Sequence, residues 1–514
     1  MADILLLQPP ADLWESVKIT PTAPISLLSA CRLLAPDFSF ELLDARLVPD
    51  WRAAVRRSLL NRPPLCVGLP SGVFGPSLVK ALQAAAHVRS VCDVPILFGG
   101  IPATLAADDL LSTGLVDLAI RGEGEEILPR LLGRLRAGQG PDGLRGVSHL
   151  RDDRAVHEPD APAPQRLAEL PDVPWHAVPF ERYLQPYGGR PTLPLETSRG
   201  CPHACPYCRH SIRRSWCKYR IEPADSVLAR IERLVDLVPG LKNLELLDET
   251  FPTGRRFREL CQGMIAMNRD LTYRIAGATV HDINALSDAE LDLARRSGCI
   301  EVCIAAESGR NDRLGAMGKR HSVADMYEIN RRLGRFDIKP NITFLLGLPG
   351  ETEADAAAAI ELAFGLLEDN PAAVISDVSS LVPFPGTVLW DTCLELGYRP
   401  PEDLYGWAKM TANHSQGRSA AEFAERRPWH PSSYWEELDH LSFLTLFFDD
   451  KISSVVGLPL ASELASLYRP LARWRARNRR YELFLEKWLF DLLARPELPL
   501  AIRRAGDRLG RLLG

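Results

Sequence analysis

The sequence predicts an α/β protein in three parts: an N-terminal doubly wound parallel-sheet domain, a central partial (β/α)6 barrel and a C-terminal mostly helical domain. Three observations predict it. Two regions alternate short apolar runs with helical spacing, a proline-dense segment separates them, and beyond Pro400 aromatic residues recur at helical intervals. A chain of 514 residues is long enough for roughly three domains, each with its own core.

The first region holds five apolar runs bounded by turn residues: Ile4 to Leu7, Phe40 to Asp44, Leu65 to Leu69, Pro95 to Gly100 and Val116 to Ile120. Helix-like segments follow most of them, such as Ile25 to Leu34, and this rhythm predicts a parallel sheet over residues 1–140. Ligands of such sheets lie beyond the strands' carboxyl ends, here marked by Ser71-Gly72, Gly99-Gly100 and the Arg121 to Glu125 turn. Those glycines are equally what tight strand-to-helix turns require. Nine prolines between 159 and 194 forbid a continuous helix or central strand, so residues 141–192 are expected as a linker. Six further strands are expected in 193–399: Leu193 to Glu196, Leu244 to Leu247, Tyr273 to Ala276, Ile300 to Ala305, Asn341 to Leu346 and Ser376 to Val382. Residues 400–514 form the helical remainder, with Trp429, Tyr434, Trp435, Phe443, Phe447 and Phe448 as helix-bundle core or pocket lining.

Composition narrows the function. With 46% hydrophobic and 25% charged residues and a net charge of -5, the chain is neither a disordered segment nor a strongly basic nucleic-acid binder. No run of 18 apolar residues offers a spanning helix, and the N-terminus lacks a secretory pattern, so a cytoplasmic location is expected. Eleven cysteines are too sparse for a disulfide framework, yet three fall within eight residues.

Those three form Cys201-Pro-His-Ala-Cys205-Pro-Tyr-Cys208, in a loop after the first barrel strand. Three closely spaced thiolates can bind three irons of a [4Fe-4S] cluster and leave the fourth open for chemistry. A structural zinc site usually has four ligands; with His203, His210 and Cys217 nearby, counting alone leaves zinc open.

The Cys-x3-Cys-x2-Cys pattern, with Tyr207 before the last cysteine, resembles the radical S-adenosylmethionine (SAM) superfamily. Supporting pieces follow in order at strand ends: Asp248-Glu249-Thr250-Phe251, Ala306-Glu307-Ser308-Gly309 with Met317-Gly318-Lys319, Gly347-Leu-Pro-Gly-Glu351, and Pro383-Phe-Pro-Gly-Thr387. The resemblance implies a cluster on Cys201, Cys205 and Cys208, and SAM held by Tyr207, Asp248, Glu249, Glu307, Ser308, Gly309, Gly347 and Pro349. A zwitterionic ligand needs acceptors for its ammonium and donors for its carboxylate, which Glu249, Glu307 and Ser308 help to supply.

Ahead of such a barrel, the first region resembles the cobalamin-binding domain of cobalamin-dependent radical SAM enzymes. The matching positions are Ser71, Gly72, Gly99, Gly100, Thr104, Gly122, Glu123 and Gly124, and the resemblance covers about residues 3–395. Relatives often read Gly-Gly-x-His-Pro-Thr where this chain has Pro102 and Ala103, and no Asp-x-His-x-x-Gly motif occurs. The departure implies cobalamin without a protein histidine on cobalt; His87, in a helical pattern, reads as a surface or interhelix residue.

The implied activity is cobalamin-dependent methylation of an unactivated carbon in a natural product, lipid or pigment precursor, using a 5'-deoxyadenosyl radical and methylcobalamin. A rearrangement, cyclisation or ring contraction with the same cofactors is the second reading, and a corrinoid or redox sensor the third. Expected partners are a small-molecule or lipid-like substrate and an electron donor such as flavodoxin or ferredoxin, without nucleic acid. Residues 461–514 carry a net +6 from 12 basic and 6 acidic side chains, with Arg473, Arg475, Arg477, Arg479 and Arg480 around Trp474. They read as a solvated face, or as a dock for an acidic carrier, a phosphorylated substrate or a membrane surface. No catalytic acid or base is legible; Tyr273, Cys299, Cys303 and Cys393 are candidate radical quenchers whose default reading is packing. His414, His430 and His440 show no ligand spacing.

Overall fold

A computed structural model of the chain describes residues 2–12, 15, 20–72, 74–164, 166–212, 218–409, 424–448 and 461–481. Cys217 and His414, and the tail beyond 481, lie outside them.

In the N-terminal sheet β1 (Ile4–Gln8), β2 (Phe40–Asp44), β3 (Cys66–Pro70), β4 (Ile96–Gly99) and β5 (Leu118–Ile120) run parallel in the order β2-β1-β3-β4-β5. The apolar runs are continuous because helices cover both faces. Leu5 and Leu7 face a core shared with the helix Pro76–Val91, while Ile4 and Leu6 face the core under Ile127–Arg136. The strand order reverses between β1 and β3, which opens a crevice at their carboxyl ends. A hairpin, β6 (Val147–Arg151) and β7 (Arg154–His157), adds antiparallel to β5. It falls in the segment expected as linker; the prolines that suggested a linker begin only at Pro159.

The central sheet has the order β16-β15-β14-β13-β12-β9-β8. Six strands are parallel: β9 (Arg190–Leu195), β12 (Asn243–Leu246), β13 (Thr272–Ala278), β14 (Cys299–Glu307), β15 (Lys339–Leu346) and β16 (Val374–Ser380). β8 (Gln185–Tyr187) pairs antiparallel with β9 at one edge, so the barrel is open. Each expected barrel strand is present. Helices on the outer face start at side-chain caps where the sequence supplies them: Ser287 with Glu290, and Ser322 with Asp325, form reciprocal capping boxes.

Between the two sheets, a short ribbon of β10 (Ser198–Arg199) and β11 (Arg220–Ile221) brackets the cysteine segment. The helix Ser432–Thr445 packs on β16, and Tyr434, Trp435 and Phe448 join the barrel core. Phe74 stacks near Phe384 and Trp407, with centroids 6.1 and 4.9 Å away, so one apolar core continues from the N-terminal domain into the barrel and the region beyond 400.

Candidate active site

The cysteine loop leaves β10 at Gly200, where a Cβ would lie 3.1 Å from the Lys218 carbonyl oxygen. Cys201, Cys205 and Cys208 are half-buried and unbridged. The Cys208 N–H donates to the Cys205 carbonyl at 3.1 Å, and the Pro206 carbonyl accepts from Leu389 N–H at 3.0 Å, which fixes the loop's curl. Burial pushes the Cys201 thiol up to about 11 and raises Cys208 as well. Among the described residues the three sulfurs do not all lie within 4.8 Å of one another, so they are not drawn together as around a single ion. That spread suits a cluster better than zinc.

Beside the loop, Glu307 ends β14 with φ +67, a left-handed conformation that costs a non-glycine residue about 1–3 kcal/mol. Its Oε1 accepts from the Tyr207 hydroxyl at 2.8 Å and pairs with Lys319 Nζ at 2.8 Å. Burial opposes the charge on Lys319, but Glu307 together with Cys205 and Cys208 holds the ammonium above its ordinary pKa. Burial, then Glu307, raises the Tyr207 phenol. A strained carboxylate, the tyrosine that directly precedes Cys208 and a lysine thus share one polar centre.

Other residues expected at SAM are placed differently. Asp248 Oδ1 accepts from Thr197 N–H at 3.0 Å and Ser198 Oγ at 2.7 Å, while Oδ2 accepts from Thr197 Oγ1 at 2.8 Å. Both oxygens therefore pin the strand-to-loop transition; burial pushes the acid up to about 6 against these bonds. Its neighbour Glu249 does face the interdomain cavity and pairs with His210 Nδ1 at 2.8 Å. Ser308 is fully buried and its Oγ accepts from Arg310 N–H at 3.3 Å. At Gly309 a Cβ would come within 2.2 Å of the Ala358 carbonyl oxygen, and at Gly347, with φ +84, within 2.4 Å of the Trp435 ring. These two glycines serve close packing. Pro349 is half-buried in the turn that Glu351 closes. Glu351 Oε2 accepts from Gly347 N–H at 2.6 Å, Leu348 N–H at 3.2 Å and Tyr434 hydroxyl at 3.1 Å.

Across from the barrel loops, the carboxyl ends of β3, β4 and β5 bound a cavity of about 420 Å³. Gly72, Gly99, Gly100, Thr104, Gly122, Glu123 and Gly124 line it from the sheet side, and Arg199, Arg209 and Glu249 from the barrel side. A Cβ at Gly99 would meet no atom within 4 Å, so this strand end opens onto the cavity, while Gly100 (φ +111) lies against Ser71 and Gly72. Exposed backbone on an apolar floor that includes Leu6, Leu97 and Ile120 fits a flat macrocycle. Thr104 Oγ1 donates to Gly100 O at 2.8 Å and accepts from Gly122 N–H at 3.0 Å, tying two of the loops together. Ser71 points inward: it is fully buried and its hydroxyl donates to Gly99 O at 2.7 Å. No histidine occurs among the described residues that line the cavity; His87 Nε2 donates to the Arg52 carbonyl oxygen, 3.1 Å away, between two outer helices.

The sequence reading missed the residue that joins the two halves. Arg199, two positions before Cys201, pairs with Glu123 at 2.7 Å, Glu125 at 2.6 Å and Glu196 at 2.9 Å, all largely buried except Glu196. Arg220 also pairs with Glu123. Burial opposes the Arg199 charge, but Glu196, Glu125 and Glu123 hold it above its ordinary pKa. A clue was present: an acidic turn at a strand end that faces another domain needs basic partners.

In the C-terminal region the aromatics pack. Trp429 Nε1 donates to Gly347 O at 3.0 Å, and the His430 ring stacks on Tyr434 at 4.1 Å. The tail arginines are engaged within the chain: Arg473 with the Phe448 carbonyl, Arg475 with Arg480 O, Arg477 with Glu368 and Arg479 with Glu437. Tyr273, Cys299 and Cys393 are buried in the cores; Cys303 is half-buried.

Residues 195–363 match the Radical SAM superfamily. The chain is 22% identical over 396 residues to an uncharacterized methyltransferase of Pyrococcus horikoshii, covering 76% of this chain and 83% of that one. It is 28% identical over 302 residues to the anaerobic magnesium-protoporphyrin IX monomethyl ester cyclase of Cereibacter sphaeroides, covering 57% of this chain and about half (47%) of the cyclase. Among solved structures, the cobalamin-dependent radical enzyme OxsB, with aqua-cobalamin and SAM bound, superposes with a TM-score of 0.68 at 15% identity, over 99% of this chain and 80% of that one. The radical SAM methyltransferase TsrM from Kitasatospora setae, with tryptophan and a SAM analogue bound, gives 0.63 at 19% identity and 77% of each chain. The chain carries a radical SAM domain over residues 195–363 and has the fold of these solved cobalamin-dependent radical SAM enzymes.

Proposed function

We propose that this enzyme is a cobalamin-dependent radical SAM methyltransferase that acts on an unactivated carbon of a small-molecule or lipid-like substrate. The observation that carries the reading is the single cavity lined both by the glycine turns of the first sheet and by residues flanking the cysteine loop, with Arg199 joining the two sides. When bound, the cluster with SAM supplies a 5'-deoxyadenosyl radical and the corrin a transferable methyl group. The chain's own residues bind and orient. Cys201, Cys205 and Cys208 would ligate the cluster; Glu307, placed by Tyr207 and Lys319, and Glu249 would face SAM. Gly72, Gly99, Gly100, Thr104, Gly122 and Gly124 would cradle the corrin, and the apolar floor would exclude water. The electron would come from an external donor such as flavodoxin or ferredoxin. Among the described residues no helix is long and apolar enough to cross a membrane.

Cyclisation with the same cofactors is the second reading, favoured by the likeness to anaerobic cyclases of three bacteria, at 26–28% identity. SAM carrying a deuterated methyl group separates the two when incubated with reduced enzyme and fractionated small-molecule extract. Methylation predicts 5'-deoxyadenosine together with label in a product. 5'-Deoxyadenosine with an unlabelled product would favour cyclisation, and neither compound would overturn both readings.

A further inference from the structure

Away from the interdomain cavity, three acceptors converge beside the β6–β7 hairpin. His149 on β6 is only 4% exposed and its Nε2 has no hydrogen-bond partner. That nitrogen lies 3.5 Å from Asp142 Oδ1 and 3.7 Å from Glu158 Oε1, too far for good hydrogen bonds. The other ring nitrogen, Nδ1, is 3.2 Å from the Leu150 carbonyl oxygen. A carbonyl only accepts, so Nδ1 carries the proton in the neutral ring and Nε2 presents a lone pair, the arrangement common in metal-ligating histidines. A buried lone pair facing two carboxylate oxygens is unfavourable unless a cation sits among them. All three ligand atoms fall within 4.8 Å of one another, the one such grouping found among the described residues.

The scaffold fixes this convergence. β6 pairs with β5, with His149 opposite Leu118, and Glu158 N–H donates to Val147 O at 3.0 Å, which sets Glu158 beside β6. The neighbouring Gly146 N–H donates to Pro159 O at 2.8 Å. Asp142 lies in the turn before β6, its side chain 57% exposed, and also pairs with the exposed Arg151 guanidinium, which has room to swing away. One imidazole nitrogen and two carboxylates are a donor set for a first-row divalent ion, with coordination positions left for water.

We propose that Asp142, His149 and Glu158 form a divalent transition-metal site, separate from the cysteine loop, that cross-links the turn before β6 to the segment after β7. The same segment abuts the cavity: Arg121, next to Gly122, bonds the Glu158 carbonyl and pairs with Asp160 at 2.8 Å. A metal here would therefore stiffen one wall of the large cleft. The inference does not depend on the methyltransferase reading.

The test is anaerobic titration of the full-length, iron-reconstituted protein with Zn2+, followed by calorimetry and by zinc and iron analysis after dialysis. About one zinc per chain is expected in addition to the iron, with affinity lowered at least roughly 100-fold in His149→Ala and Glu158→Gln, since loss of a ligand should exceed the 10- to 100-fold typical of an outer partner. Asp142→Asn, at an exposed side chain, serves if the buried variants misfold, and unchanged iron content reports an intact fold. Wild-type protein that retains no zinc beyond the iron, or folded variants that bind zinc as well as wild type, would overturn the proposal.

Discussion

A methyl group added at Gly309 would lie 2.2 Å from the Ala358 carbonyl oxygen, and the obstacle is helix backbone that cannot rotate aside. Gly309→Ala should therefore lower stability by about 2 kcal/mol or more, an overpacking cost, measured as a lower urea midpoint with unchanged m-value. An unchanged midpoint would mean the helix Glu353–Asp369 yields. Residues with unusual chemistry were the most legible ones: three cysteines at short spacing admit few readings, and Glu307, named from its motif, takes a strained backbone beside Tyr207 and Lys319. Asp248 and Glu249 are chemically alike and adjacent, so only the fold separates the one that pins Thr197 and Ser198 from the one that faces the cavity. Gly309 and Gly347 were expected at SAM, but sequence alone does not separate that role from close packing, because both call for glycine.

At the scale of elements, the turn after β15 is held by a buried acid. Burial pushes Glu351 up to about 7, against the bonds from Gly347 N–H, Tyr434 hydroxyl and Leu348 N–H. The folded state thus holds this proton more tightly than the unfolded chain. The stabilisation is fully present below the unfolded value of 4.5 and is lost as pH rises through about 7. Glu351→Gln keeps an acceptor for both amides and cannot ionise. Its stability should fall less than that of wild type between pH 4.5 and 7, by about 3 kcal/mol, followed by urea unfolding at several pH values. Equal slopes in the two proteins would refute the assignment. The strands themselves were legible because parallel strands buried on both faces read as apolar runs ending in glycine or proline. The β6–β7 hairpin was not: Val-Ser-His-Leu-Arg and Arg-Ala-Val-His lack such runs, since an antiparallel edge needs only one buried face.

Across the whole molecule, the arrangement depends on Arg199. It stands between the acidic turn of the first sheet and the cysteine loop of the barrel, so the two halves meet through one buried ion-pair network and a continuous apolar core. Breaking such a pair leaves unpaired buried charge, which typically costs about 3–5 kcal/mol. The relation of the halves was beyond sequence reasoning because Glu123 and Arg199 lie in separate domains and only their packing makes them partners. The region beyond 400 was legible as helical and rich in aromatics, but its packing against the turn of Gly347 to Glu351 depends on Trp429 and Tyr434 finding a surface the sequence does not name.

The central claim is that one chain holds an iron–sulfur cluster and a corrin on facing walls of one cavity. Anaerobic reconstitution with iron, sulfide and hydroxocobalamin, followed by metal and corrin quantification, tests it most directly. About four irons and one corrin per chain are expected. The Cys201→Ala, Cys205→Ala, Cys208→Ala triple variant should lose the iron and keep the corrin. Iron without corrin in the wild-type protein, or iron that survives in the triple variant, would contradict the account.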